Sequence, residues 1–123
     1  TKIGIDFIHL SCWDCFKISD EYSKDKKTIT EWFTHTISNL PTIISTGGIW
    51  SSKDATDVMM QGADLIGVGR VAIPYPDWSL NLKDDNYNPP KMPFTSTQLT
   101  KAGLSDVFIA YMRNWKGFVE DEK

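Results

Sequence analysis

The stretch PTIISTGGIWSSKDATDVMMQGADLIGVGR, residues 41–70, contains one device twice. In IISTGGIW (Ile43–Trp50) and in LIGVGR (Leu65–Arg70) a short apolar run ends in closely spaced glycines, and an arginine closes the second pair. The segment between them reads as a helix. Ser51 and Asp54 have capping-box spacing, Ala55, Val58 and Met59 form an apolar stripe, and Gly62 stands where a C′ residue is expected. At the C-terminal end of a parallel strand the chain must turn at once into the next helix. Glycine permits positive φ there and removes the Cβ that would hold a ligand off the main chain. N–H groups of the loop and of the first helical turn then offer an anion site, and Arg70 can add a two-pronged contact to a phosphate. Gly47 and Gly48 supply this after one strand, Gly67 and Gly69 after the next. Right-handed crossover connectivity places both exits at the same sheet edge. Gly47, Gly48, Gly69 and Arg70 are therefore expected to form two halves of one phosphate cradle. The competing reading takes the glycines as plain turns and Arg70 as a surface residue.

Working outward, IDFIHLS (5–11) reads as a buried strand, followed by a long polar connection. TITEWFTHTISNL (28–40) places Ile29, Trp32, Phe33, Ile37 and Leu40 on one helical face, with Thr28 or Thr30 as N-cap and Pro41 beyond the end. The second and third strands are expected over 42–45 and 64–68. GRVAI begins a short helix turned aside by PYP (74–76), and a second helical piece is plausible from Pro76 or Asp77. Residues 84–97 read as a turn-rich loop. A last helix carries Phe108, Tyr111, Met112 and Trp115 on one packing face, capped by Ser105 or Asp106. The order is β–α–β–α–β–α with strands apolar nearly throughout, the pattern of a parallel sheet covered by helices. A phosphate site shared by the loops after the last two strands, closed by a short extra helix, is the standard arrangement in (β/α)₈ barrels.

The chain has 123 residues, 41% hydrophobic, with a formal net charge of −3, as expected of one globular domain or a piece of one. No second domain is expected. The acidic balance, with no basic block longer than KDKK (24–27), argues against nucleic acid or an anionic membrane as partner. No apolar run approaches the ~20 residues that span a bilayer, and TKIGID has no signal-peptide pattern. Two cysteines make no disulfide framework, so a cytoplasmic setting is expected.

IDFIHLS, PTIISTGGIWSSKDATDVMMQGADLIGVGRVAIPYPDW and GLSDVFIAYMRNWKGFV together resemble the C-terminal part of the Old Yellow Enzyme-like NADH:flavin oxidoreductases. The most specific element is the ordered set of GG, GAD, GVGR and PDW; the likeness is weakest over 12–30 and 80–97. The resemblance implies a (β/α)₈ TIM barrel that binds FMN at its C-terminal face and passes hydride from NAD(P)H to an activated alkene or similar acceptor. It implies FMN-phosphate contacts from Gly47, Gly48, Gly69 and Arg70, and it puts Ser11 where family members approach the flavin ring. Only three strands are present, which would be the sixth to eighth, whereas a whole barrel takes about 250 residues. The family's substrate-binding His pair, Tyr proton donor and basic residue near flavin N1 belong to earlier strands, and neither His9 nor His35 matches them. The expectation is a partial barrel, 1–123, that contributes the phosphate site with no catalytic residue of its own and is inactive alone.

Other candidates have simpler readings. Cys12 and Cys15 form a C-x-x-C after a strand, but a polar loop follows and Asp14 opposes thiolate formation; a zinc site would need further ligands that are not in pattern. His9 shares strand parity with Phe7 and Ser11 and reads as a hydrogen-bonded core histidine. The Trp32–Phe33 face reads as packing surface, and VEDEK (119–123) as a solvated tail. The alternative functions are another phosphate-binding barrel, such as a lyase or isomerase, and a non-catalytic module. Three strands leave two open edges and uncovered apolar faces, so the isolated chain is expected to self-associate.

Overall fold

A computed structural model describes residues 4–120. Three parallel strands, β1 (Phe7–Ser11), β2 (Thr42–Thr46) and β3 (Leu65–Gly67), lie in the order β1-β2-β3. Phe7 pairs with Thr42 and Ser11 with Thr46; Ile44 pairs with Leu65 and Thr46 with Gly67. The aspartate of the GAD run holds the start of this register. Its carboxylate accepts from Ile43 N at 2.8 Å, and its own N–H donates to Ile43 O at 2.9 Å. Strand order and direction agree with the sequence reading, while each outer strand begins later than expected, at Phe7 and Leu65.

Helix α1 (Ile29–Thr36) follows β1 and helix α2 (Ser52–Met60) follows β2. Both start in full capping boxes, Thr28 with Glu31 and Ser51 with Asp54. Such caps are worth about 1 kcal/mol each, which matters for helices this short. Thr28, not Thr30, caps α1, because Thr30 is fully buried and bonds Ser45 Oγ at 2.8 Å. Two corrections concern the helix faces. Helix α1 docks through Thr28, Thr30 and Thr34, which bond Gln61 Oε1, Ser45 Oγ and Gln61 O, whereas Ile29 and Ile37 remain exposed. In α2 the buried side is Ser52, Ala55 and Val58, and Met59 points out. Gly62 does end α2 with φ +97°, and a Cβ there would meet Thr34.

The main core is not under the sheet but at the strand exits. After β3 a 3₁₀ turn (Arg70–Ala72) and α3 (Trp78–Asn81) fold back, and Trp78 Nε1 donates to Trp50 O at 2.6 Å. Trp50 Nε1 donates to Pro89 O at 2.7 Å, and its ring stacks on Phe94 at 6.4 Å. Phe94 opens a short strand β4 (Phe94–Thr95), which runs into α4 (Ser96–Lys101). Helix α5 (Asp106–Met112) follows, and β5 (Val119–Glu120) returns parallel to β4. Val58, Val71, Leu99, Ile109 and Phe118 complete this buried cluster.

Elements β4, α4 and β5 were not visible beforehand, nor was a 3₁₀ turn at Ser23–Asp25 within the polar connection. Val119 and Glu120, expected in a solvated tail, are in β5; residues 121–123 lie outside the described residues. The expected coverage of the strands is also corrected. Phe7 on β1 is 56% exposed and Leu65 on β3 is 53% exposed, so the outer strands are covered incompletely. The final helix caps at Ser105 as expected, but only Ile109 and Met112 are buried, and Phe108, Tyr111 and Trp115 stand exposed beside one another. Among the described residues no helix is long and apolar enough to cross a membrane.

Candidate functional site

The two glycine exits open onto one cleft of about 370 Å³. Gly47 and Gly48 come to it from β2, Gly67, Gly69 and Arg70 from β3, and Cys12 and Trp13 from the loop after β1. Lys91 and Met92 reach it from the long connection before β4. The lining carries two cationic side chains, Arg70 and Lys91, and Asp14 Oδ1, which accepts from Phe16 N, comes within 3.7 Å of where a Cβ on Gly48 would stand. The sequence reading missed Lys91. Its place depends on Phe94 being tied to Phe118 by the N–H to O bond of 2.9 Å, a contact between distant segments with no local signature.

Each glycine has its own physical reason. Gly47 has φ +143°, and a Cβ would stand 2.5 Å from Cys12 O and 3.0 Å from Cys15 N, so the 12–15 loop fills that space. The same loop is pinned by Cys12 N to Thr46 O at 2.9 Å and Cys15 N to Gly47 O at 3.1 Å. At Gly67 a Cβ would overlap Thr46 Oγ1, which bonds His9 Nε2 at 2.7 Å. Gly48 has φ +72°, a backbone that favours glycine. Gly69 has a negative φ of −129°, and nothing lies within 4 Å of its missing Cβ. Neither packing nor a left-handed backbone accounts for glycine there; the space above it belongs to the cleft.

The supply of N–H donors differs from expectation. At the start of α2, Asp54 Oδ2 accepts from Trp50 N (3.0 Å) and Ser51 N (2.9 Å). Ser51 Oγ accepts from Asp54 N (3.1 Å), and Tyr87 O accepts from Ser52 N (2.9 Å). This first turn is thus closed by its own cap. The loop groups differ: the N–H groups of Gly48 and Gly69 meet no acceptor among the described residues.

Arg70 begins the 3₁₀ turn, as expected of a short helix after β3, and is exposed. Among the described residues it forms no ion pair; its guanidinium carbon lies 5.2 Å from the centre of the Trp13 ring. A cation held on an aromatic face without a carboxylate partner keeps its charge available to a ligand. Ser11 pairs with Thr46 at the end of β1 but does not line the cleft.

His9 is exposed rather than in the core, although it is hydrogen-bonded as expected. Burial pushes the Cys15 thiol up to about 11, with Asp14 and then Cys12 adding to the shift. Burial and Asp14 also raise Cys12. Both thiols are free and held protonated, the opposite of a reactive pair. Among the described residues no cluster of His, Cys, Asp and Glu could hold a metal ion.

Fold and site define a parallel α/β unit whose strand exits form a cationic, glycine-lined cleft suited to an anion. Two curated relatives are similar to this chain. NADH:fumarate oxidoreductase of Klebsiella pneumoniae (strain 342) is 30% identical over 83 residues, covering 64% of this chain and 9% of the relative. Probable NADH-dependent flavin oxidoreductase YqiG of Bacillus subtilis (strain 168) is 23% identical over 115 residues, covering 94% of this chain and 31% of the relative. The chain therefore spans less than a third of the length of either relative. No protein-family model matches it.

Proposed function

We propose that the cleft binds the phosphate of FMN. In this reading the chain is the C-terminal part of a (β/α)₈ NAD(P)H:flavin oxidoreductase of the Old Yellow Enzyme-like kind, supplying its sixth to eighth strands in a cytoplasmic protein. One observation carries it: two glycine exits about twenty residues apart open onto a single cleft with Arg70 and Lys91. The names of the two relatives, which both specify NADH and in one case flavin, supply the redox context.

The residues fit a phosphoryl group. Free N–H groups at Gly48 and Gly69 provide neutral donors, and Arg70 and Lys91 provide charge. The open space over Gly69 admits the ligand close to the main chain. When bound, the flavin supplies hydride transfer between a nicotinamide and an acceptor. In this reading the work of this chain is to bind and orient. The exposed strands β1 and β3 are consistent with neighbours in a closed barrel, and for the chain expressed alone they favour self-association.

The test is FMN binding to the full-length protein carrying Arg70→Ala. A charge-assisted hydrogen bond is worth roughly 1.5–3 kcal/mol, so affinity is expected to fall by about ten-fold or more. Unchanged affinity contradicts the assignment. A colourless protein that binds other phosphate esters in this cleft would replace flavin by a phosphorylated substrate.

A further inference from the structure

Beside the cleft lies a second hollow of about 580 Å³, within the range of about 300–1,000 Å³ usual for small-molecule sites. Trp13, Gly69, Arg70 and Met92 line both spaces, so they adjoin, with the Arg70–Trp13 pair as a shared wall. One side of the hollow is a ladder of three rings. Phe108 and Tyr111 lie 5.8 Å apart at 28°, and Tyr111 and Trp115 lie 4.8 Å apart at 70°. All three remain exposed above the buried Met112 and Phe118. Arg70 and Lys116 bring positive charge to the lining, which has no carboxylate.

This combination restricts the occupant. A purely apolar segment would cover the rings but desolvate two cations without a counter-charge, which is costly. A free phosphate would satisfy the cations and leave the rings in water. A flat heteroaromatic ring that carries a phosphate satisfies both, since purines stack on aromatic faces and phosphate pairs with Arg and Lys.

We propose that the hollow binds the AMP half of the nicotinamide dinucleotide, the purine against the Phe108–Tyr111–Trp115 ladder and the phosphate beside Arg70 and Lys116. The choice of dinucleotide rests on the oxidoreductase reading above; the recognition rests on the ladder and the two cations. The probe is AMP itself, titrated calorimetrically into the full-length protein with and without saturating FMN.

AMP is expected to bind in both conditions, and more tightly than adenosine or inorganic phosphate. Tyr111→Ala, at an exposed position, is expected to weaken AMP about ten-fold while FMN affinity stays within about two-fold. Lys116→Gln is expected to weaken AMP several-fold with adenosine unaffected. No AMP binding, AMP binding indifferent to Tyr111→Ala, or AMP excluded by saturating FMN would each overturn the proposal. Loss of FMN binding with Tyr111-sensitive AMP binding intact would instead remove the flavin reading and leave the nucleotide hollow standing.

Discussion

The two strand exits carry the same glycine spacing for unlike reasons. In each pair the first glycine is closed in by the protein itself: Gly47 under the Cys12 carbonyl and Gly67 under the Thr46 hydroxyl. At the second of each pair a Cβ would meet only ordinary contact, with Asp14 at 3.7 Å for Gly48, or nothing, for Gly69, and neither N–H has an acceptor among the described residues. The repeated motif is therefore two layers, an inner one that lets neighbouring strands and loops approach and an outer one that stays open, where the proposed ligand would sit. Stability and binding should separate along that line.

The largest effect is expected at Gly47. Its obstruction is backbone and its φ is +143°, so Gly47→Ala combines overpacking with a strained conformation and should cost about 3 kcal/mol or more. Chemical denaturation measures this; a loss under about 1 kcal/mol would show that the 12–15 loop is not fixed as described. Gly67→Ala meets a side-chain hydroxyl that can rotate away, at the cost of the His9–Thr46 bond, and about 2 kcal/mol is expected. Ser51→Ala removes only a cap and should cost about 1 kcal/mol. Gly69→Ala is expected to change stability by no more than about 0.5 kcal/mol, as at other unobstructed surface positions, yet to weaken FMN binding. If Gly69→Ala unfolds the protein, the outer layer is structural as well and the comparison fails.

The pH profile offers the finest test of how tightly the inner layer is packed. Cys15, whose N–H bonds Gly47 O, has its thiol raised by burial from the ordinary 9.0 to about 11. The folded state then holds this proton more tightly than the unfolded chain does. The contribution is complete below pH 9 and is lost as pH rises through about 11. Stability should decline across that window in the wild type and decline less in Cys15→Ala. Equal profiles would mean that the thiol is not buried as described.

Much of this was readable beforehand because its causes are local. The Ser51–Asp54 capping box and the Gly62 helix stop follow from spacing within a few residues. So does the convergence of the two exits, which crossover handedness implies once the unit is recognised. Lys91 and the aromatic hollow were not readable. They depend on two-residue strands, Phe94–Thr95 and Val119–Glu120, that are too short to show alternation and are joined across a wide gap in sequence. The buried face of α1 was misassigned for a related reason. Periodicity located its apolar side, but the face that docks on the chain is the threonine side, where Thr30 and Thr34 bond Ser45 and Gln61. An apolar stripe identifies a surface needing cover without saying what covers it.

The most direct test is a crystal structure of the full-length protein grown with FMN. The account predicts one phosphoryl group within hydrogen-bond distance of the Gly48 and Gly69 N–H groups and of the Arg70 guanidinium. A bound flavin whose phosphate lies away from both exits, or an Arg70 side chain turned from it, would contradict the account.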